Sequence, residues 1–299
     1  MKKKRAFTTV LLVLVFLGGL SILLYPAISN YWNSLVQTRV VNDYTHRVSQ
    51  MAPVDRAALL DAAASYNKQL ASQSDRFVLT ADQMTQYNSI LNVSGNGVMG
   101  ILSIPKIRVR LPIYHGSDPT VLQVGLGHLP GSSFPIGGPG AHAVISGHRG
   151  LPSAELLSNI NRLVTGDYFQ ITVLGKTMTY QVDQIKVVLP ENMRDLAIEP
   201  GQDLVTLVTC TPYGVNSHRL LVRGRRVYNR AQDLSAQTPL IDTGTVMRIA
   251  IVAFMVIAIS LSAFLQRRKQ KKNNKHDRHN KHERHNKHDK LVVRAGPEK

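Results

Sequence analysis

The chain has 299 residues, 36 Lys and Arg against 19 Asp and Glu, and a single cysteine. That length holds one or two domains, and one cysteine excludes an internal disulfide, so stability must come from a packed core. The net charge of +17 sits mostly at the ends, with +4 in residues 2–5 and +9 in residues 266–299. The middle carries only about +4 and no basic stripe, which argues against a nucleic-acid partner.

Residues 1–5 form a basic end, and the run that follows, placed at 6–25, is almost uncharged and apolar. A second apolar run lies within 246–265, with Arg248 near its start and Arg267, Arg268 and Lys269 just beyond it. Each approaches the roughly 20 residues that cross a bilayer as a helix. Basic residues flank both outer ends, so both ends are expected in the cytoplasm and the middle outside the cell, in a two-span membrane protein. Tyr25-Pro26-Ala27 is a poor match to a signal-peptide cleavage site, and an uncleaved anchor is expected.

Residues 26–92 read as a helical segment. Val41, Tyr44, Val48 and Met51 step by 3, 4 and 3, and Leu59, Ala63, Tyr66 and Leu70 by 4, 3 and 4. Pro53 separates the two stripes and Asp55 stands near the second start. A helical hairpin packed on the following domain is expected. Residues 71–92 read as polar and irregular.

From 93 to 230 the texture becomes β. Val98–Ile104, Ile107–Tyr114, Ala141–Gly147, Tyr168–Leu174, Thr177–Leu189, Leu204–Thr209 and Arg219–Tyr228 are apolar or alternating runs between turn signals. Residues 125–140 hold six glycines and three prolines and read as loop, and 153–163 as a short helix capped by Ser153. About eight strands with few helices predict a mainly β fold, a closed or nearly closed barrel. Residues 231–245 are a linker. The tail, 266–299, repeats a six-residue Asn-Lys-His unit with His276, His279, His282, His285 and His288 spaced by three. Such histidines could hold a transition metal. A solvated cytoplasmic tail touching anionic lipid headgroups is the preferred account, and no metal or cofactor is expected.

The chemistry centres on Cys210. An unpaired thiol in an exported domain is a liability unless it is used or hidden. It ends an apolar β-branched run, Pro212 and Gly214 turn the chain, and Arg219 opens the next run. A thiol nucleophile needs a proton partner. The domain offers His115, His128, His142, His148 and His218 from residue 100 onward. His148 is preferred, because it ends a strand between Gly147 and Gly150, whereas His142 begins that strand and His218 points away if Arg219 points in. Arg219 can hold an oxyanion with a permanent charge and a planar fork of donors. Arg223, Arg225 and Arg226 crowd the same strand.

These residues resemble a known family. Thr206-Leu207-Val208-Thr209-Cys210 matches the TLxTC signature of the sortases, and Ser146-Gly147-His148-Arg149 and the Cys210-to-Arg219 spacing match the rest of their triad. Residues 100–107, 111–116, 127–133 and 211–219 are similar to the class C, pilin-polymerising group. The resemblance implies an eight-stranded sortase-type barrel with an N-terminal helical hairpin and lid, flanked by two transmembrane helices. It implies a cysteine transpeptidase with His148, Cys210 and Arg219 as catalytic residues and Thr209 at the substrate. Its substrates would be pilin subunits with LPXTG-like sorting signals, and its acyl acceptor a pilin lysine. Class C members carry an Asp-Pro-aromatic lid whose acid meets the arginine and whose ring covers the thiol. Asp75-Arg76-Phe77 matches it with Arg76 in place of proline, which would have fixed φ. The alternatives are a housekeeping sortase that attaches proteins to the cell wall, and a non-enzymatic membrane-tethered module with an inert Cys210.

Overall fold

The structure, a computed structural model, describes residues 2–73 and 75–228, and residues 252, 253, 255 and 256. It divides into a unit of residues 1–240 and a unit of 241–299. The expected linker, nearly all of the second span and the histidine-rich tail lie outside the described residues.

The first helix, α1 (Lys2–Gln50), runs without a break through Pro26. At 1.5 Å per residue it is about 74 Å long, more than twice the hydrocarbon thickness of a bilayer. Its apolar stripe is used at the far end, where Val41, Tyr44 and Val48 are buried. The buried Tyr44 hydroxyl donates to the Met99 carbonyl (2.9 Å) and accepts from the Leu174 N–H (3.0 Å). Desolvation raises its pKa to about 12.

The second helix, α2 (Pro53–Leu70), begins on proline, whose missing N–H costs nothing in a first turn. Asp55 lies in that first turn, and Ala63, Tyr66 and Leu70 of the expected stripe are buried. So is Asn67, whose side chain donates to the Phe134 carbonyl (3.1 Å) and accepts from the Phe134 N–H (2.7 Å). The stretch read as irregular contains a third helix, α3 (Ala81–Ser89), with a capping box between Thr80 and Gln83. Its polar sequence hid it, because only Tyr87 of its residues is buried.

The barrel follows, as β1 (Val98–Ile104), β2 (Val109–His115), a short α4 (Pro119–Val124), β3 (Leu126–His128), β4 (Ala141–Ser146), β5 (Tyr168–Val173), β6 (Lys176–Val188), β7 (Asp203–Thr211) and β8 (His218–Val227). It closes in the order β1-β2-β3-β4-β7-β8-β6-β5, with β2–β3 and β4–β7 parallel. The expected eight strands are present. β3 was concealed in the glycine- and proline-rich stretch read as loop. The helix expected over 153–163 is reduced to one 3₁₀ turn, Ile160–Arg162. Leu156 adopts φ 37°, which a right-handed helix does not admit, and Ala154, Leu156 and Leu157 enter the core instead.

Two of the five histidines belong to a buried aromatic cluster beside α3. The rings of Tyr87, His128 and Phe134 stack at centroid separations of 5.3–5.8 Å. His128 Nε2 donates to the Ser133 carbonyl (2.8 Å), and its Nδ1 lies 3.0 Å from the Tyr87 hydroxyl. His115 lies edge-on to Tyr87 and bonds the Gly97 and Ile90 carbonyls. Burial holds His128 neutral, with a pKa lowered to about 3. The unfolded chain takes up this proton below about pH 6.5 and the folded chain does not, so acid favours unfolding. Stability is full above pH 6.5 and falls as the pH drops towards 3. Urea titrations at pH 7 and pH 5 are expected to show a loss of about 2 kcal/mol from His128 alone; equal stabilities would mean that the imidazole is not held neutral.

Candidate active site

Three neighbouring strand ends assemble the site. β7 and β8 are antiparallel, and their register sets Cys210 directly opposite Arg219 and Thr211 opposite His218. Side chains opposed in this way share a face, with Cβ atoms about 5 Å apart. β4 flanks the other side of β7 in parallel, with Ile145 beside Leu207 and Ser146 beside Val208. The Gly147 N–H donates to the Val208 carbonyl (3.0 Å) and carries the ladder one residue further. Continued by two residues past the end of β4, the same offset runs from His148 to Cys210. The Arg149 guanidinium reaches Thr211 Oγ1 (3.2 Å), in keeping with that offset. Gly147 is closely packed where it stands: a Cβ there would meet the Leu126 and Leu157 side chains at 2.6 and 2.8 Å, so these would have to shift.

The electrostatics separate these residues from their neighbours. Cys210, His148 and Arg219 are all half-buried. Desolvation lowers the His148 pKa, so the imidazole is neutral at pH 7 and able to accept a proton. Arg219 donates Nη1 to the Asn216 and His218 carbonyls (3.2 Å each), which fixes the guanidinium against its own loop. No carboxylate pairs with it among the described residues. Arg223, by contrast, is forked onto Asp183 (3.0 and 3.1 Å) and bonded to Glu199 (2.9 Å), and Arg225 lies 3.6 Å from Asp183. Arg226 packs over the rings of Tyr180 and Tyr228. Of the four, Arg219 is the one that stands opposite Cys210, and it is held there by carbonyls through Nη1 alone.

The remaining histidines are accounted for. His142 is buried, donating Nδ1 to the Ala197 carbonyl (2.7 Å) and accepting from the Thr206 hydroxyl (2.8 Å). His218 bonds Ser217 Oγ (2.9 Å). Thr209, expected at the substrate, is 1% exposed and lies on the opposite face of β7 from Cys210. Its hydroxyl has no partner among the described residues and is turned away from the site's face.

The segment matched to a lid lies against the outside of the barrel. Phe77 packs on a patch of Val144, Leu196 and Leu221, bordered by Leu129, Val188 and Val208. Val208 is two residues before Cys210 and on its face. Asp75 is exposed and beyond ion-pair distance of Arg219, in contrast to the acid–arginine contact that the resemblance implies. Arg76 holds the segment instead. It is 8% exposed, donates to the Gly131 carbonyl (3.4 Å) and to the Leu196 carbonyl, and its guanidinium carbon lies 4.4 Å from the Phe77 ring centroid. The backbone of Gly131 is so close to Arg76 that a Cβ would overlap the Arg76 carbonyl. In the linear chain the one signal of this role is a charged residue at the position where the matched motif has proline. A cavity of about 750 Å³ opens beside it, lined by Leu70, Gln73, Arg76, Phe77, Met193 and Ile198 among others.

With this geometry in hand, known proteins resolve the family. A sortase domain model matches residues 102–227. The crystal structure of sortase C1 from Streptococcus agalactiae is 49% identical, with a TM-score of 0.61, over 64% of this chain and 99% of that one. The chain belongs to the sortase family. A second similar structure is sortase A from Corynebacterium diphtheriae as a lid mutant, 43% identical with a TM-score of 0.56, over 62% of this chain and all of that one. Sortase D of Bacillus subtilis is 30% identical over 131 residues, 43% of this chain and 63% of that protein, so the alignment spans less than two thirds of this curated relative. The structural relatives support class C among sortases.

Each hydrogen bond from a buried guanidinium contributes about 1.5–3 kcal/mol. Changing Arg76 to Ala is therefore expected to release the segment and to raise the rate of Cys210 alkylation by iodoacetamide several-fold. An unchanged rate would mean that Arg76 does not control access to the thiol.

Proposed function

We propose that this protein is a membrane-anchored, outward-facing cysteine transpeptidase that joins pilin subunits through LPXTG-like sorting signals. The observation that carries this reading is the pairing of β7 between β8 and β4, which sets Cys210 opposite Arg219 and is consistent with His148, two residues beyond β4, as its proton partner. Cys210 gives its proton to His148, and the thiolate attacks the Thr carbonyl of the sorting signal's Thr–Gly bond. The carbonyl oxygen becomes an oxyanion, for which Arg219 supplies the free donors. His148 returns its proton to the Gly nitrogen as the C–N bond breaks, and a thioester is left on Cys210. A lysine amine of the next pilin then attacks the thioester. An isopeptide bond forms, His148 takes the amine proton, and the thiol is released.

In this reading Asp75 to Phe77 is a lid, closed here. Phe77 covers the apolar patch along which the sorting signal would approach Cys210, and its departure uncovers it. A cover of this kind also disfavours water during the lifetime of the thioester. The similarity to sortase C1 and to a sortase with a lid supports pilin polymerisation over attachment of single proteins to the wall.

The test is the trapped acyl-enzyme. Incubation with a sorting-signal peptide is expected to add the mass of the cleaved N-terminal fragment at Cys210. Changing Cys210 to Ala is expected to abolish the adduct and the pilin ladders on immunoblots. Changing Arg219 to Ala should lower kcat by about 10²–10³, the usual cost of one oxyanion donor. Unaltered ladders in the Cys210→Ala strain would overturn the assignment.

A further inference from the structure

The long helix α1 acts as a ruler along which the barrel is fixed at three heights. Nearest the apolar run 6–24, the connection that follows His148 is tied to it. Ser29 Oγ and Asn33 Nδ2 donate to the Ser153 carbonyl (3.2 and 2.7 Å), and the Glu155 N–H donates to Asn30 Oδ1 (2.8 Å). Further out, Gln37 Nε2 donates to the Val124 carbonyl (3.3 Å). Furthest out, Tyr44 holds the Leu174 N–H, and a Cβ on Gly175 would sit 3.7 Å from Val48 Cγ1.

These heights convert to distances. The run from 6 to 24 is about 28 Å long as a helix, close to the roughly 30 Å hydrocarbon core. Ser29 and Asn33 then lie about 8 and 14 Å beyond Leu24, whereas Val48 lies about 36 Å beyond it. One headgroup layer is about 5–8 Å deep. The contacts at 153–155 therefore stand at the outer edge of the headgroups, and the β5–β6 turn stands far from them. The side chains of α1 at the same level fit that layer: Tyr25, Tyr31 and Trp32 are 56%, 66% and 65% exposed. Amphipathic rings favour the membrane interface.

The active site belongs to the near end. Gly150 is three residues from Ser153, at most about 11 Å of chain. A Cβ on Gly150 would sit 2.7 Å from the Tyr213 ring, which places the loop after Cys210 against the same connection. Tyr213 and Val215 of that loop are exposed apolar side chains.

We propose that the end of the barrel carrying His148 and Cys210 rests on the lipid headgroups, with the 150–158 connection and the 212–217 loop as its contact surface. This rests on the anchoring of α1 in a bilayer. A polypeptide reaching Cys210 then has to run close to the membrane plane, and the β5–β6 end of the barrel faces away from it.

Trp32 is the only tryptophan in the chain, so depth can be read from its own fluorescence. The full chain would be reconstituted in phosphatidylcholine vesicles with and without a nitroxide-headgroup lipid. Three single-tryptophan proteins would be compared: the natural chain, Pro152→Trp in a Trp32→Phe background, and Lys176→Trp in the same background, both sites being exposed. Loss of emission is expected from the natural chain and from the Pro152→Trp protein, with none from the Lys176→Trp protein. Adding Asn30→Ala and Asn33→Ala to the Pro152→Trp protein is expected to reduce its quenching. Quenching of Trp32 without quenching of the Pro152→Trp protein would overturn the proposal and leave the anchor standing. Recovery of the whole chain in the soluble fraction after alkaline carbonate extraction would instead sink the anchoring reading itself.

Discussion

The hydrogen-bonded ladder β4–β7–β8 is the constraint on which the site depends. Neither of its pairings can move by one residue without inverting the chemistry. In the observed register Val205, Leu207 and Thr209 face inward, while Val208 and Cys210 face out. A slip of β7 by one would send the thiol inward and Thr209 out. The apolar inner face thus fixes the register, because a slip would bring the Thr206 hydroxyl into the interior and take it from His142. The same argument explains the compact end of β4, where Gly147 lets the Leu126 and Leu157 side chains close beneath it.

Charge is distributed so that few groups at this end remain unpaired. Arg223 and Arg225 are offset by Asp183 and Glu199, and Arg226 by aromatic faces. Arg219 is held by carbonyls, which orient it without neutralising it. Among the described residues, His115, His128 and His142 spend both ring nitrogens on carbonyl or hydroxyl partners, and His218 spends Nδ1 on Ser217. His148 is the exception, bonded through its backbone and half-exposed at the strand end. A site can therefore be picked out by which polar groups are left with capacity.

Arg76 and α1 give the barrel two further attachments of different strength. Arg76 holds one short segment to the barrel through two carbonyls, beside the packing of Phe77, a small set of contacts that can be broken together. Helix α1 is held by buried Val41, Tyr44 and Val48 and by the polar contacts at 29–37, spread over five turns. The first suits a part that opens, and the second a part that sets orientation.

Much of this was legible in the linear chain, because periodicity and turn residues are local. The two helical stripes and seven of the eight strands needed no contact information, and strand ends and glycine flanks were enough to propose Cys210 and His148. Polar α3 was missed because its helix is specified by a capping box and one buried tyrosine, too little for a periodic signal. β3 was missed because three residues between glycines carry no pattern. The helix expected at 153–163 failed because Leu156 is drawn into the core at a left-handed φ. Only the tertiary structure could show that Thr209 faces inward, that the residue in place of proline pins the 75–77 segment, and that Asp75 stands free of Arg219. Each depends on groups brought together from 50 or more residues apart, or on the face that closing the barrel assigns to a strand, and a sequence read along its length does not contain that closure.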